Sequence, residues 1–314
     1  MEIDPTTRRE PLSGVPSLSE VGRLVSVVMK HARDAFVDEQ TITAQWKALN
    51  FAAAPDYGAA IDEFERLLDI LRASGVIVHL LPRDAGTTLD SVYARDASIV
   101  SPQGIILCRM GKQTRESEPE AQRRAFESFG SEFRVYGRIE PPGLLEGGDV
   151  VWLDARTLLV GRGYRTNAEG IRQLRVLLGE SVDVIDVPLP HWRGESDVMH
   201  LMSLLSPVDR DVAVVYSPLL PVPFRKLLLG RGYRLVEVLD EEFDSMGCNV
   251  LALGPGRCVM LAGNPRTRTT LERAGIEVIE YAGNEISVKG AGGPTCLTRP
   301  IVRAALPRRS SEAS

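Results

Sequence analysis

The sequence predicts an α/β fold with mixed sheets, built as a single domain. Two observations carry this. Pairs of short β-branched, apolar segments are each followed by a helical pattern and then by a further short strand, and the order recurs along the chain. No linker-like stretch divides the 314 residues, of which 44% are hydrophobic and 25% charged.

The elements follow in order. Residues 1–20 are polar and are expected to be poorly ordered, as is the tail 307–314, which leaves 21–306 as the domain. Leu24 to Met29 reads as a first strand. Tyr57, Ile61, Phe64, Leu67, Leu68 and Leu71 fall at helical spacing over 57–74, and Gly75 stops the helix. Val76 to Leu81 is a strand ending at Pro82. Strand pairs are predicted at 98–101 with 105–109, 149–153 with 157–160, and 249–253 with 257–261. Helices follow at 117–129, 165–178 and 266–274, leading to strands at 133–136, 183–187 and 276–280. The hairpins must be antiparallel, so this is not a plain βαβ repeat. Pro188 to Gly194 reads as a loop or insertion, and Pro218 to Pro223 as a proline-marked connection.

Composition excludes several classes. A net charge of −5 offers no basic excess for nucleic acid or an anionic membrane. No apolar run approaches the ~20 residues that span a bilayer, and the polar N-terminus lacks a secretory h-region. Cys108, Cys248, Cys258 and Cys296 are scattered without a C-x-x-C pair, against a disulfide framework or zinc site. A reducing cytoplasm is the expected compartment. The dinucleotide, P-loop, H-E-x-x-H and G-x-S-x-G signatures are missing.

Four segments can carry chemistry. In Gly290-Ala-Gly-Gly-Pro-Thr-Cys296-Leu-Thr298, glycines make a bend from which Cys296 is expected at a strand start, among backbone N–H groups that lower a thiol pKa. The bland alternative is a loop and a buried cysteine. His200 opens an apolar run of strand character and offers an acid/base, though a lone histidine is more often structural. Glu146-Gly-Gly-Asp149 is a tight bend whose Glu146, if inward, can hold a histidine in one tautomer; an exposed turn is the alternative. Asp90 and Asp96 bracket Tyr93 at a loop-to-strand junction, where carboxylates can bind a planar guanidinium or simply sit in a solvated loop. Arg115 and Arg165, each just before a helix, can hold a carboxylate bidentately. His31, His79 and His191 carry no such pattern.

Taken together, these segments resemble the guanidino-group-modifying enzymes: dimethylarginine dimethylaminohydrolases most closely, with arginine and agmatine deiminases and amidinotransferases. The resemblance runs from Leu24 to Pro300 through Pro55-Asp-Tyr57, Asp90 to Asp96, Glu146 to Asp149, Arg165-Thr-Asn-Ala-Glu-Gly170, His200-Leu201, Gly263-Asn-Pro-Arg-Thr267 and Gly292 to Cys296. It implies the pentein fold, an α/β-propeller of ββαβ units about a pseudo-fivefold axis. It further implies Cys296 as nucleophile, His200 as general acid/base and Glu146 as the carboxylate beside it. Asp96 and Asp90 would surround the guanidinium, and Arg115 and Arg165 would take the α-carboxylate. The implied reaction is hydrolysis of a guanidino C–N bond of arginine or an Nω-methylated arginine through an S-linked thiouronium. Amidino transfer and double hydrolysis are the alternatives on the same residues, and a non-catalytic binding protein a more remote one. No metal or cofactor is implied; the partner is a small guanidino molecule, with a homodimer as a further expectation. Two positions depart from the pattern. Arg95 stands where dimethylargininases place an acid, and Met202 stands where deiminases place an aspartate two residues after the histidine.

Overall fold

The computed structural model describes residues 18–195 and 199–306. Strand β1 (Leu24–Met29) is buried along its whole length, as its run of valines requires. The helix Tyr57–Ala73 returns the chain to β2 (Ile77–Leu80), which pairs parallel with β1. Asp56 caps that helix by accepting the Ala59 N–H at 2.8 Å, and Gly75 ends it at φ +76°. Ala60, Phe64, Leu67, Leu68 and Leu71 form its buried face. Each of the larger side chains contributes about 1.5–3 kcal/mol by leaving water.

The same construction repeats. Strands β3 (Ser98–Ser101) and β4 (Gly104–Leu107) form a hairpin joined in parallel by β5 (Val135–Arg138). Next come β6 (Val150–Asp154), β7 (Thr157–Arg162) and β8 (Asp183–Pro188). A fourth set is β9 (Leu205–Asp209), β10 (Val212–Val215) and β11 (Arg234–Glu237), and a fifth is β12 (Val250–Gly254), β13 (Arg257–Leu261) and β14 (Glu277–Tyr281). In each of these four sets a helix precedes the third strand: Glu118–Phe126, Ala168–Leu178, Val222–Gly230 and Pro265–Arg273. The last strand, β15 (Arg299–Arg303), returns to pair antiparallel with β1, completing the first sheet. Five three-stranded sheets result. This is the pentein α/β-propeller, one blade per sheet about a pseudo-fivefold axis.

Three expectations need correction. Leu18, Ser19 and Glu20 are buried, and Glu20 pairs with Arg95 at 2.8 Å, so ordered packing begins before residue 21; residues 1–17 and 307–314 lie outside the described residues. Cys296 does not start a strand: it is the third residue of the helical turn Pro294–Leu297, ahead of β15. His200 precedes a short 3-10 turn, Leu201–Ser203, rather than opening a strand directly. No helix among the described residues is long and apolar enough to cross a membrane.

Candidate active site

Glu146 ends the approach to the bend Gly147–Asp149, and its side chain is fully buried. Its Oε1 accepts the N–H groups of Gly111 (2.8 Å) and Lys112 (3.1 Å), and Oε2 meets His200 Nε2 at 2.7 Å. Arg165 Nη1 reaches both oxygens at 3.3 and 3.4 Å. A carboxylate so supplied with donors stays ionised. Burial, the largest single influence, pushes the Glu146 pKa up, but the hydrogen bond and charge of His200 and the charge of Arg165 outweigh it and hold the group well below the usual range.

Two further residues fasten the histidine to the glutamate. Asp149 Oδ1 accepts the Leu201 N–H at 2.9 Å, and its Oδ2 takes the Thr166 hydroxyl at 2.6 Å. Thr166 Oγ1 in turn accepts the Glu146 N–H at 3.2 Å. Neither Asp149 nor Thr166 was singled out from the sequence as a positioning residue, although both lie inside quoted motifs. Gly148 is needed for close approach: a Cβ there would stand 2.5 Å from His200 Nδ1 and 2.8 Å from Asp96 Oδ1.

The His200 pKa is raised to about 9. Burial alone would lower it, and is the largest influence, but the charges of Asp96, Asp149 and Glu146 together prevail. The ring is therefore an imidazolium at neutral pH, ready to act as an acid. Asp96 is 2% exposed, with Oδ2 on Arg115 Nη1 at 2.6 Å and Oδ1 3.9 Å from His200 Nδ1. Among the described residues Asp96 Oδ1 has no hydrogen-bond partner. Such a buried acceptor calls for a donor.

Cys296 is half-buried, and its Sγ accepts the Asn249 Nδ2–H at 3.3 Å. Asn249 Oδ1 takes both the N–H (3.0 Å) and the hydroxyl (2.8 Å) of Thr295, so the amide is fixed relative to the sulfur. Asn249 was missed from sequence: it lies 47 positions away and belongs to no motif. The thiol departs from expectation. Burial and then the charge of Asp96 raise its pKa above the ordinary value, against the lowering by Asn249, Thr295 and Gly293. Unaided, the sulfur rests as a thiol.

Cys296, His200 and Asn249 line one cleft of about 270 Å³, walled also by Tyr93, Met199, Ser203 and Met246. Trp192 and Arg193, from the stretch read as a loop or insertion, form a rim with Phe243 and Asp244; the Arg193–Asp244 ion pair measures 2.7 Å. Ser196, Asp197 and Val198, just beyond that stretch, lie outside the described residues.

Two predicted binding residues are engaged elsewhere. Arg115 is buried and directs its nitrogens to Asp96, to both oxygens of Glu118 (2.8 Å each) and to the Tyr93 carbonyl (2.9 Å), so it supports Asp96 rather than presenting a free fork to a carboxylate. Asp90 pairs with Lys112 Nζ at 2.6 Å. Arg165 also lines a small crevice with Trp192 and Met199, both of which border the main cleft. The two departures from the motif face away from the chemistry: Met202 is packed in the apolar core, and Arg95 pairs with Glu20.

Ligand atoms of Asp96, Glu146 and His200 lie within 4.8 Å of one another, close enough to surround a cation. Both Glu146 oxygens already accept N–H donors, whereas Asp96 Oδ1 is left open among the described residues. The group suits a cationic donor of hydrogen bonds better than a metal ion.

The family model described as N,N dimethylarginine dimethylhydrolase, eukaryotic, matches residues 36–303. The N(G),N(G)-dimethylarginine dimethylaminohydrolase of Streptomyces coelicolor is 30% identical over 245 residues, covering 77% of this chain and 86% of that one. An arginine deiminase of Mycobacterium avium is 28% identical over 246 residues, covering 68% of this chain and 60% of that one. Among solved structures, a cysteine-to-serine mutant of the Pseudomonas aeruginosa dimethylarginine enzyme complexed with citrulline matches with a TM-score of 0.71, at 24% identity and over 88% and 99% of the two chains. That last likeness speaks for the fold.

Proposed function

Since the chain belongs to the N,N dimethylarginine dimethylhydrolase family, we propose that it hydrolyses a guanidino C–N bond of arginine or an Nω-methylated arginine, giving citrulline and ammonia or a methylamine. The observation that carries the residue assignment is the juxtaposition of a buried, unpartnered Asp96 oxygen with the Glu146-bound His200 and the Cys296 sulfur.

Asp96 Oδ1 accepts a guanidinium N–H, and the cation sits above Cys296. Its positive charge counters the Asp96 charge that raises the thiol pKa, so substrate binding favours the thiolate, the thiol proton passing to solvent. The thiolate attacks the guanidinium carbon, forming a C–S bond and a tetrahedral adduct. The adduct collapses as the C–N bond breaks, and the departing amine takes the proton of His200. Neutral His200 then removes a proton from water. The hydroxide adds to the thiouronium carbon, the C–S bond breaks, and the hydroxyl proton returns to the departing sulfur, yielding the ureido group and the resting thiol. Glu146 holds the imidazole and stabilises its cation in both steps. Arg165, beside the cleft, takes the α-carboxylate; Arg115 and Asp90 act by holding Asp96 and Lys112.

The chain is proposed to work in a reducing cytoplasm, which keeps the nucleophile available. Incubation with arginine, mono- and dimethylarginine, agmatine and guanidino acids, followed by mass spectrometry and an ammonia count, tests the reaction. One amine and one ureido product per substrate are expected. Ornithine with two ammonia, or transfer to an added acceptor amine, would replace the hydrolytic reading. Normal turnover by Cys296→Ala would refute the residue assignment.

A further inference from the structure

A second charged group lines a narrow crevice, with room for only about 30 Å³, that is separate from the catalytic cleft. Arg95, Arg299 and Arg303 border it and are 1%, 5% and 4% exposed. Glu20 is the carboxylate among its lining residues. Three buried cations therefore face one anion.

The hydrogen bonds do not absorb the excess. Arg95 Nη2 meets Glu20 at 2.8 Å, and Arg303 Nη1 donates to the carbonyls of Gly22 (2.7 Å) and Ala252 (2.9 Å). Arg299 donates to the Arg95 carbonyl through Nε at 3.2 Å and to the Gly147 carbonyl at 3.5 Å. Arg95 Nε and Nη1, and Arg303 Nε and Nη2, have no partner among the described residues, although all four atoms are buried. Unsatisfied guanidinium donors in a low-dielectric site are costly unless an acceptor reaches them. The titration of the group has the same sign. Burial, then the neighbouring Arg95 charge, brings Arg299 down to about 9; burial is also the largest influence on Arg303, at about 10. Glu20 is held below the usual carboxylate range, because the three arginines outweigh the opposing effect of burial.

We propose that this crevice is an anion site, in which a small oxyanion of the phosphate or carboxylate type binds between Arg95 and Arg303. Guanidinium forks match such oxygens with charge-assisted hydrogen bonds, and the narrow space suits a small ion rather than a nucleotide. The site has a direct line to the chemistry. Arg95 precedes Asp96 in the chain, and Arg299 joins the Arg95 and Gly147 carbonyls, so an anion here steadies the backbone behind both Asp96 and Glu146. Arg95 is also the position that departs from the dimethylargininase pattern.

The test is calorimetric titration of the full chain with inorganic phosphate in a low-ionic-strength amine buffer near pH 7.5. One ion should bind per chain. Arg303→Gln should weaken binding by about tenfold or more, the loss expected for a charged hydrogen bond. Glu20→Gln, which removes the competing carboxylate, should tighten it. Acetate in a parallel titration distinguishes the two anion types, and binding of either supports the site. The proposal falls if neither anion binds, or if affinity is the same in the wild type and both variants. Circular dichroism identifies a variant that fails to fold; the opposite effects expected of the two substitutions keep either one decisive alone. The readout is binding, so it is independent of turnover.

Discussion

Glu146 Oε2 and His200 Nε2 are 2.7 Å apart, and neither group is exposed to water. This contact joins the bend before β6 to the turn before β9 and sets the charge state of both side chains. Replacing Glu146 by Gln keeps the shape but removes the charge. We expect kcat to fall by ~10²-fold or more, and the His200 pKa, followed by NMR, to drop from about 9. An unchanged titration would separate the two residues functionally.

The same pairing makes stability depend on pH. The folded-state pKa of His200 is raised from 6.5 to about 9. Its stabilising contribution is thus complete below 6.5 and is lost as pH rises through 9. Urea unfolding of the wild type and of His200→Gln should show a stability difference that shrinks between those limits, by on the order of 1–3 kcal/mol. A difference independent of pH would contradict the raised pKa.

Asn249 donates to the Cys296 sulfur at 3.3 Å and is one of the influences favouring the thiolate. Asn249→Ala should slow alkylation of Cys296 by iodoacetamide by up to about tenfold at neutral pH, the scale of one hydrogen bond. Adding a guanidino substrate analogue that leaves the sulfur accessible should speed alkylation of the wild type. Alkylation as fast in the variant as in the wild type would show that the amide does not tune the thiol.

Gly148→Ala places a methyl group 2.5 Å from His200 Nδ1. The ring must turn or the bend must shift, and displacements of this size cost ~10² in rate. Steady-state kinetics should show the loss in kcat, with the far-ultraviolet dichroism of the fold retained.

Arg115 holds Asp96 and Glu118 at 2.6 and 2.8 Å, all three buried. Arg115→Met strands two carboxylates and should destabilise the protein by about 3–5 kcal/mol in denaturant titration. A mild effect on stability with a large rise in KM would instead restore this arginine to the substrate.

Much of the architecture was legible in sequence because hairpins of β-branched residues followed by amphipathic helices carry two distinct periods. The fourth blade was the weakest case: β9 contains Pro207, and its apolar run begins at Met199, before the turn that separates His200 from the strand. Cys296 was assigned to a strand because a four-residue helical turn is too short to display a period, though Pro294 at its first position is a helix-start signal. Glu146, His200 and Cys296 stood out through their motifs. Their electrostatics did not, since the thiol pKa depends on Asp96 and on burial, which spacing does not reveal. The engagement of Arg115 had a local sign in Glu118, three residues on, the spacing at which helical side chains meet.

β15 lies against β1, and Ala304 donates its N–H to the Arg23 carbonyl at 2.8 Å, so the two ends of the described chain finish side by side in one blade. The described chain thus closes on itself along a seam that backbone pairing, the Arg303 side chain on the Gly22 carbonyl and the packing of Ile301 keep shut. A short peptide joining the ends, with the chain reopened at the exposed turn around Gly179, should preserve all five blades and the reaction. Trimming back to Thr298 should unfasten the seam and leave β1 with a bare edge open to aggregation.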